Sequence, residues 1–260
     1  MNTVSMSVMI ACLISAIMTT IIPIIVSVVL LVQKKLNVMP YFVGVLAFFI
    51  SQVCLRISIM SVLSMVSKGY NEFTSTLIGG ILVGGLTAGL FEETARLIGA
   101  KILLKKDRLS FKDGISFGTG HALCEVILLV GISMISNFVV LIMINTNTFH
   151  DLMLSTGIKE TQYNEYLDYY TSIQVMDFIY GLVERCSAIM FHIANTLIVF
   201  YGVKSKKYGY YALAILYHTL FNGLALVLSK YCVVLLTEIV LLVLSICVLI
   251  FTIKKVKSSL

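Results

Sequence analysis

Seven long apolar runs constrain this chain more than any other feature, because each is long enough to cross a lipid bilayer as a helix. They lie near residues 6–32, 41–67, 73–104, 112–145, 172–203, 208–229 and 231–253. A hydrocarbon core of about 30 Å needs roughly 20 apolar residues in helical form. The runs are continuous rather than alternating, so their backbone polar groups are best satisfied inside helices, not in barrel strands. Composition agrees. Hydrophobic residues make up 59% of the chain and charged residues only 12%, where a soluble domain carries about 25% charge. The fold class read from this is all-α: a polytopic transmembrane helix bundle of about seven spans in the cell membrane. It reads as one integral membrane domain over residues 1–260, with a motif-bearing core of four helices at 70–230. Helices at 1–69 and 231–260 are peripheral to that core. Residues 1–8 lack a basic segment, and the first run exceeds a signal-peptide core, so it reads as a retained helix.

The charges give an orientation. Lys34 and Lys35 follow the first run, Lys105, Lys106, Arg108 and Lys112 surround the turn after the third, Lys204, Lys206 and Lys207 follow the fifth, and Lys254, Lys255 and Lys257 follow the seventh. The opposite loops are poor in cations. The longest, residues 146–171, carries Asp151, Glu160, Glu165 and Asp168 against Lys159. The positive-inside rule therefore places the N-terminus outside and the C-terminus in the cytoplasm. The net charge of +6 is thus a topology signal, and no nucleic-acid motif accompanies it. Six cysteines fall within apolar runs without paired spacing and read as buried apolar fillers. Tyr163, Tyr166, Tyr169 and Tyr170 at one membrane face, and Tyr201, Tyr208, Tyr210 and Tyr211 at the other, read as interfacial belts.

Four of the seven runs are interrupted by ionisable groups. The third holds Glu92, Glu93 and Arg96; the fourth His121 and Glu125; the fifth Glu184, Arg185 and His192; the sixth His218 and Asn222. On insertion scales a charged side chain at the bilayer centre costs about 2.5–3.5 kcal/mol, so a concentration of them needs a reason. Counted from the basic clusters at about 1.5 Å per residue, the sites on all four helices lie roughly 13–18 Å from the cytoplasmic boundary. Two of these helices run inward and two outward, yet the levels agree.

Facing follows from spacing. Gly80, Gly84, Ala88, Glu92 and Arg96 recur every fourth residue, and Gly85, Gly89 and Glu93 form the adjoining stripe. Small residues at this spacing let membrane helices approach closely, which turns the carboxylates into the bundle. Arg96 lies within one turn of both glutamates and can hold them as a split pair suited to acid–base chemistry. Gly114, Gly118 and Gly120 precede His121 in the same way. A carboxylate here can activate water while His and Asn donors steady an oxyanion. Equally, His121, His192, His218 and Glu93 could bind a divalent metal such as zinc, with a position left open for water. Both the metal-free and the metal-dependent chemistry stand at this point. Glu125 and Glu184 are supporting groups, or partners of Arg185. Arg56 and Asp177 read as a structural pair, Glu238 and His150 as solvent-facing, and Phe91 and Phe117 as packing.

The ordered motifs Phe91-Glu92-Glu93-x-x-Arg96, Phe117-x-x-x-His121 and His218-x-x-x-Asn222 resemble those of the intramembrane proteases related to CAAX prenyl proteases, the CPBP or Abi group. Two residues separate the Glu pair from Arg96, a departure from the CAAX-type spacing that resembles the PrsW-like branch. The Gly120-His121-x-x-x-Glu125 helix, with the Glu184, Arg185 and His192 helix, is similar to the YhfC family of intramembrane metalloproteases. The resemblance spans residues 80–225. It implies an intramembrane endopeptidase acting on a membrane-embedded or membrane-proximal protein or peptide. Glu92 or Glu93 would activate water, Arg96 would tune the pair, and His121, His218 and Asn222 would steady the oxyanion. Glu125 and His192 would be further polar groups or metal ligands. A contrasting reading is a transporter or bacteriocin-immunity-type binding protein that uses the same groups as a proton or cation relay.

Overall fold

The computed structural model describes residues 3–260, and among these residues every regular element is helical. Seven helical segments are long and apolar enough to cross a membrane: Met6–Val32, Val38–Val66, Leu77–Leu104, Phe111–Asn145, Val175–Lys204, Gly209–Tyr231 and Val234–Val256. We number them as spans one to seven. They match the seven apolar runs to within a few residues, and the chain is a multi-pass membrane protein. Between the second and third spans lies a short helix, Lys68–Ser75, and the acidic loop forms two more, Phe149–Ser155 and Glu160–Ser172.

The chain divides into two compact units, residues 3–26 with 126–183, and residues 27–125 with 184–260. In the first unit, Val8 and Cys12 pack with Leu141, Ile144, Phe149 and Phe178. Asn145 ties the segment before the first helix to this core: its Oδ1 accepts from Val4 N at 2.8 Å and its Nδ2 donates to Val4 O at 2.9 Å. Tyr163 and Tyr170 of the loop helices lie against the Phe149 ring, while Tyr166 and Tyr169 are exposed.

The second unit holds every residue of the polar constellation. Its helices meet through glycine. A Cβ on Gly44 of span two would overlap the Phe117 carbonyl, and a Cβ on Gly120 of span four would overlap the Tyr41 carbonyl, so the two backbones touch reciprocally. That contact places His121, the next residue, against Phe48 at a ring separation of 5.2 Å. Gly85 and Gly89 of span three do the same for span six, where an added Cβ would lie 3.0 Å from Thr219 O and 3.1 Å from Ile215 O. At one end, Asn37 Nδ2 donates to buried Asp113 at 2.6 Å, stapling the start of span two to the start of span four. A core of Ala100, Leu103, Phe117, Val199 and Phe200 fills the space between.

Three spans contain a stretch of wider π-helix: Phe49–Ile57, Ile81–Leu86 and Val126–Gly131. The second lies about one turn before Glu92 and the third begins directly after Glu125. Such stretches free backbone carbonyls and often stand beside functional sites. In span three the carbonyls are taken up by Arg56, whose Nη2 donates to Val83 O at 2.9 Å and Gly84 O at 3.3 Å. Arg56 also donates to Thr87 and Gln52. The expected Arg56–Asp177 pair is therefore not what these residues form. Arg56 is occupied by the π stretch, and Asp177 accepts from its own helix start at Gln174 N, 2.8 Å away.

The cysteine expectation also needs correction. Cys12 and Cys124 are buried fillers, but Cys54, Cys186 and Cys247 are exposed, at positions where a spanning helix faces lipid. A thiol is apolar enough for either surroundings, so an apolar run alone does not say which way it points.

Candidate active site

Span three supplies the centre. Glu92, Glu93 and Arg96 are all buried, with Arg96 and Glu93 fully so. Arg96 pairs with both carboxylates: Nη1 with Glu93 Oε1, and Nη2 with Glu92 Oε2 at 3.3 Å. The two glutamates nevertheless have different surroundings. Glu93 Oε1 is crowded by donors, taking Arg96, Asn195 Nδ2 at 2.9 Å and His218 Nδ1 at 2.8 Å. Glu92 instead meets the histidines. Its Oε2 lies 2.9 Å from His121 Nε2 and 3.6 Å from His192 Nδ1, and its Oε1 lies 3.8 Å from His218 Nε2.

These contacts assign tautomers. A carboxylate accepts, so His218 donates from Nδ1 to Glu93, which leaves its Nε2 facing Glu92. A guanidinium only donates, so His192 Nδ1 accepts from Arg96 Nη2 at 2.7 Å. His192 Nε2 then faces Glu125 Oε2 at 2.5 Å. Arg185 bridges outward from there, pairing with Glu125 at 3.2 Å and with Glu184 beside it. The histidine rings are neighbours, His121 to His192 at 5.2 Å and His192 to His218 at 5.8 Å between centroids.

A cavity of about 210 Å³ opens on this cluster. Glu92, Glu125, His192, His218 and Asn222 line it, as do Glu184 and Arg185. Glu93 and His121 do not line it. Of the residues singled out from the sequence, Glu92, Glu93, Arg96, His121, His192, His218, Glu125 and Glu184 thus form one connected network. Asn222 stands at its edge, with Nδ2 3.5 Å from Gly84 O.

Sequence reasoning passed over Asn195 and Thr196. Both are fully buried; Asn195 holds Glu93, and Thr196 Oγ1 accepts from Arg96 Nε at 3.2 Å. They sit three and four residues after His192, so the i+3/i+4 face of that histidine was the available signal. Glu238, expected to face solvent, is buried, and its Oε2 has no hydrogen-bond partner among the described residues. Its place one turn before Leu241 puts it on the inward stripe of span seven with Thr237 and Ser245. His150 is half-exposed and pairs with Glu160 at 3.2 Å in the loop.

Comparison with known proteins bears on what this network is for. The family profile described as YhfC intramembrane metalloprotease matches residues 18–244, which include every residue of the polar network. The chain belongs to the YhfC family. A member from Bacillus subtilis (strain 168), the uncharacterized membrane protein YhfC, is 32% identical over 184 residues, 70% of either chain. No solved structure matches the chain.

The family description implies a metal, and the residues fit one. Glu92, His121 and His192 are buried and bring one ligand atom each to within 4.8 Å of one another. Two imidazoles and a carboxylate are a donor set suited to zinc-class ions. The cavity lining is also net acidic, with Glu92, Glu125 and Glu184 against Arg185. This triplet shares His121 and His192 with the set expected from sequence, but takes Glu92 where Glu93 was expected and leaves out His218. Glu93 Oε1 is shared among Arg96, Asn195 and His218 Nδ1, and His192 ligates through Nδ1 only if Arg96 releases that nitrogen, with Nε2–H still held by Glu125.

Proposed function

We propose that this protein is an intramembrane metallo-endopeptidase that hydrolyses a peptide bond in a membrane-embedded or membrane-proximal substrate. One observation carries the reading: Glu92 meets three histidines at the wall of a small buried cavity, while Glu93 is withdrawn from it. Glu92, His121 and His192 would hold a divalent ion such as zinc. When bound, that ion supplies Lewis acidity toward water and a carbonyl oxygen. The rest of the chemistry belongs to the chain.

Glu93 keeps the proton of His218 on Nδ1, so Nε2 presents its lone pair toward Glu92 and the cavity. That nitrogen takes the proton of the attacking water, and Glu93 stabilises the imidazolium that results, as a buried carboxylate does for a catalytic histidine. The same proton then passes to the departing amine. Asn222 lines the cavity and offers an amide donor toward the developing oxyanion. Arg96 fixes both carboxylates in one geometry. Family membership favours this over the transport reading.

The test is cleavage of a model transmembrane substrate by pure protein in detergent, with metal content measured alongside. Glu92→Gln and His121→Ala should lose both bound metal and cleavage. His218→Ala should keep the metal and lose about 10²–10⁴-fold in turnover. Cleavage by Glu92→Gln at the wild-type rate would overturn the proposal. Full activity in metal-free protein would instead return Glu92 to the role of base in a metal-free mechanism.

A further inference from the structure

Among the residues that line the catalytic cavity, three large apolar side chains stand out: Phe191, Phe221 and Leu241. Phe191 and Phe221 stack with centroids 4.4 Å apart and an interplanar angle of 15°. Leu241, from span seven, packs on both, and all three are buried. Phe191 also backs the histidines, with its ring 4.9 Å from His192 and 4.9 Å from His218. The cavity is about 210 Å³. Sites for small organic ligands usually measure about 300–1,000 Å³. A single helical turn about 10 Å across exceeds the space available, so a substrate cannot enter the cavity as a helix.

We propose that Phe191, Phe221 and Leu241 form the specificity subsite of the peptidase, and that it accepts a small apolar side chain beside the scissile bond of a locally unwound segment. The inference rests on the peptidase reading and adds a substrate class to it. The scissile peptide unit itself has to meet Glu92, His218 and Asn222, which line the same cavity. The large apolar groups left in the lining are two aromatic rings and a leucine. An alanine-sized group fits this space with its apolar surface covered, whereas a leucine or phenylalanine would have to displace Leu241 or Phe221. An anionic side chain would lose its hydration and meet a lining that carries Glu92, Glu125 and Glu184.

Leu241 is the residue to test. It touches the two phenylalanines and comes from a different span than the metal and proton groups. A panel of otherwise identical transmembrane substrates would carry Ala, Val, Leu or Phe next to the cleaved bond, and kcat/KM would be measured for each. The wild type should prefer Ala. Leu241→Ala should raise the Leu-to-Ala ratio of kcat/KM by at least about tenfold, the discrimination a pocket achieves per methylene or so. Leu241→Phe should move the ratio the other way and lose the Val substrate first. A merely structural role for Leu241 would lower all rates together and leave the ratios alone. Unchanged ratios in both variants, or a wild type that prefers Leu or Phe, would overturn the subsite. A wild type that cleaves no member of the panel would overturn the peptidase reading, and the subsite with it.

Discussion

Arg96 is fully buried between two carboxylates, and removing it would leave both without their cation. Breaking a buried ion pair by deleting one partner costs about 3–5 kcal/mol. Arg96→Met should therefore unfold well below wild type in a thermal melt in detergent, and an unchanged melting temperature would contradict the network described. Arg96→Lys should also be poorly tolerated, since a single ammonium cannot reach Glu92, Glu93 and the His192 nitrogen together as the guanidinium fork does. Asn195→Ala should cost about 1–3 kcal/mol by withdrawing a buried donor from Glu93. It should slow turnover with metal content intact, because it acts on the Glu93–His218 pair. The glutamates, Arg96 and the histidines were legible in the sequence, because an ionisable group in an apolar run stands out against its insertion cost. Asn195 and Thr196 were not, since short neutral polar groups are common in membrane helices and only a specific partner gives them meaning.

Span packing rests on a few close backbone contacts. Gly120 and Gly44 lock spans two and four together, and Gly120→Ala should force the backbones apart at a cost of about 1–3 kcal/mol. Gly84→Ala provides the control: an added Cβ there meets nothing within 4 Å, so stability should be unchanged or slightly raised. Both are readable by the same melt, and equal effects would sink the packing argument. The π stretch of span three makes a second element-scale prediction. Arg56→Ala frees the Val83 and Gly84 carbonyls, and about 1–3 kcal/mol should be lost. An α-helical repeat puts Gly80, Gly84, Ala88, Glu92 and Arg96 on one face. In the structure, a Cβ on Gly84 would meet nothing within 4 Å, while Gly85 and Gly89 bring the backbone of span three close to that of span six. The wider turn at Ile81–Leu86 shifts the register between the early glycines and Glu92, and nothing in the residue pattern announces it.

At the scale of the molecule, the basic residues after spans one, three, five and seven carry the proposed orientation. A fluorescent protein fused after Leu260 should mature and fluoresce on the cytoplasmic side, and a cysteine placed in the Glu160–Ser172 helix should be labelled from outside by a membrane-impermeant reagent. Labelling only after the membrane is opened would reverse the assignment. The number of spans, their limits and the common depth of Glu92, His121, His192 and His218 were determined by the sequence alone. Those properties follow from counting along an axis: the bilayer sets the length of each apolar run, and the rise of a helix converts residue number into depth. The side-chain pairing at that depth was decided by tertiary structure. Which glutamate meets the histidines, which nitrogen of each ring is engaged and which residues close the cavity all depend on how each helix is rotated about its axis. That rotation is set by glycine contacts, π stretches and Arg56, which act between helices and leave no periodic trace within one.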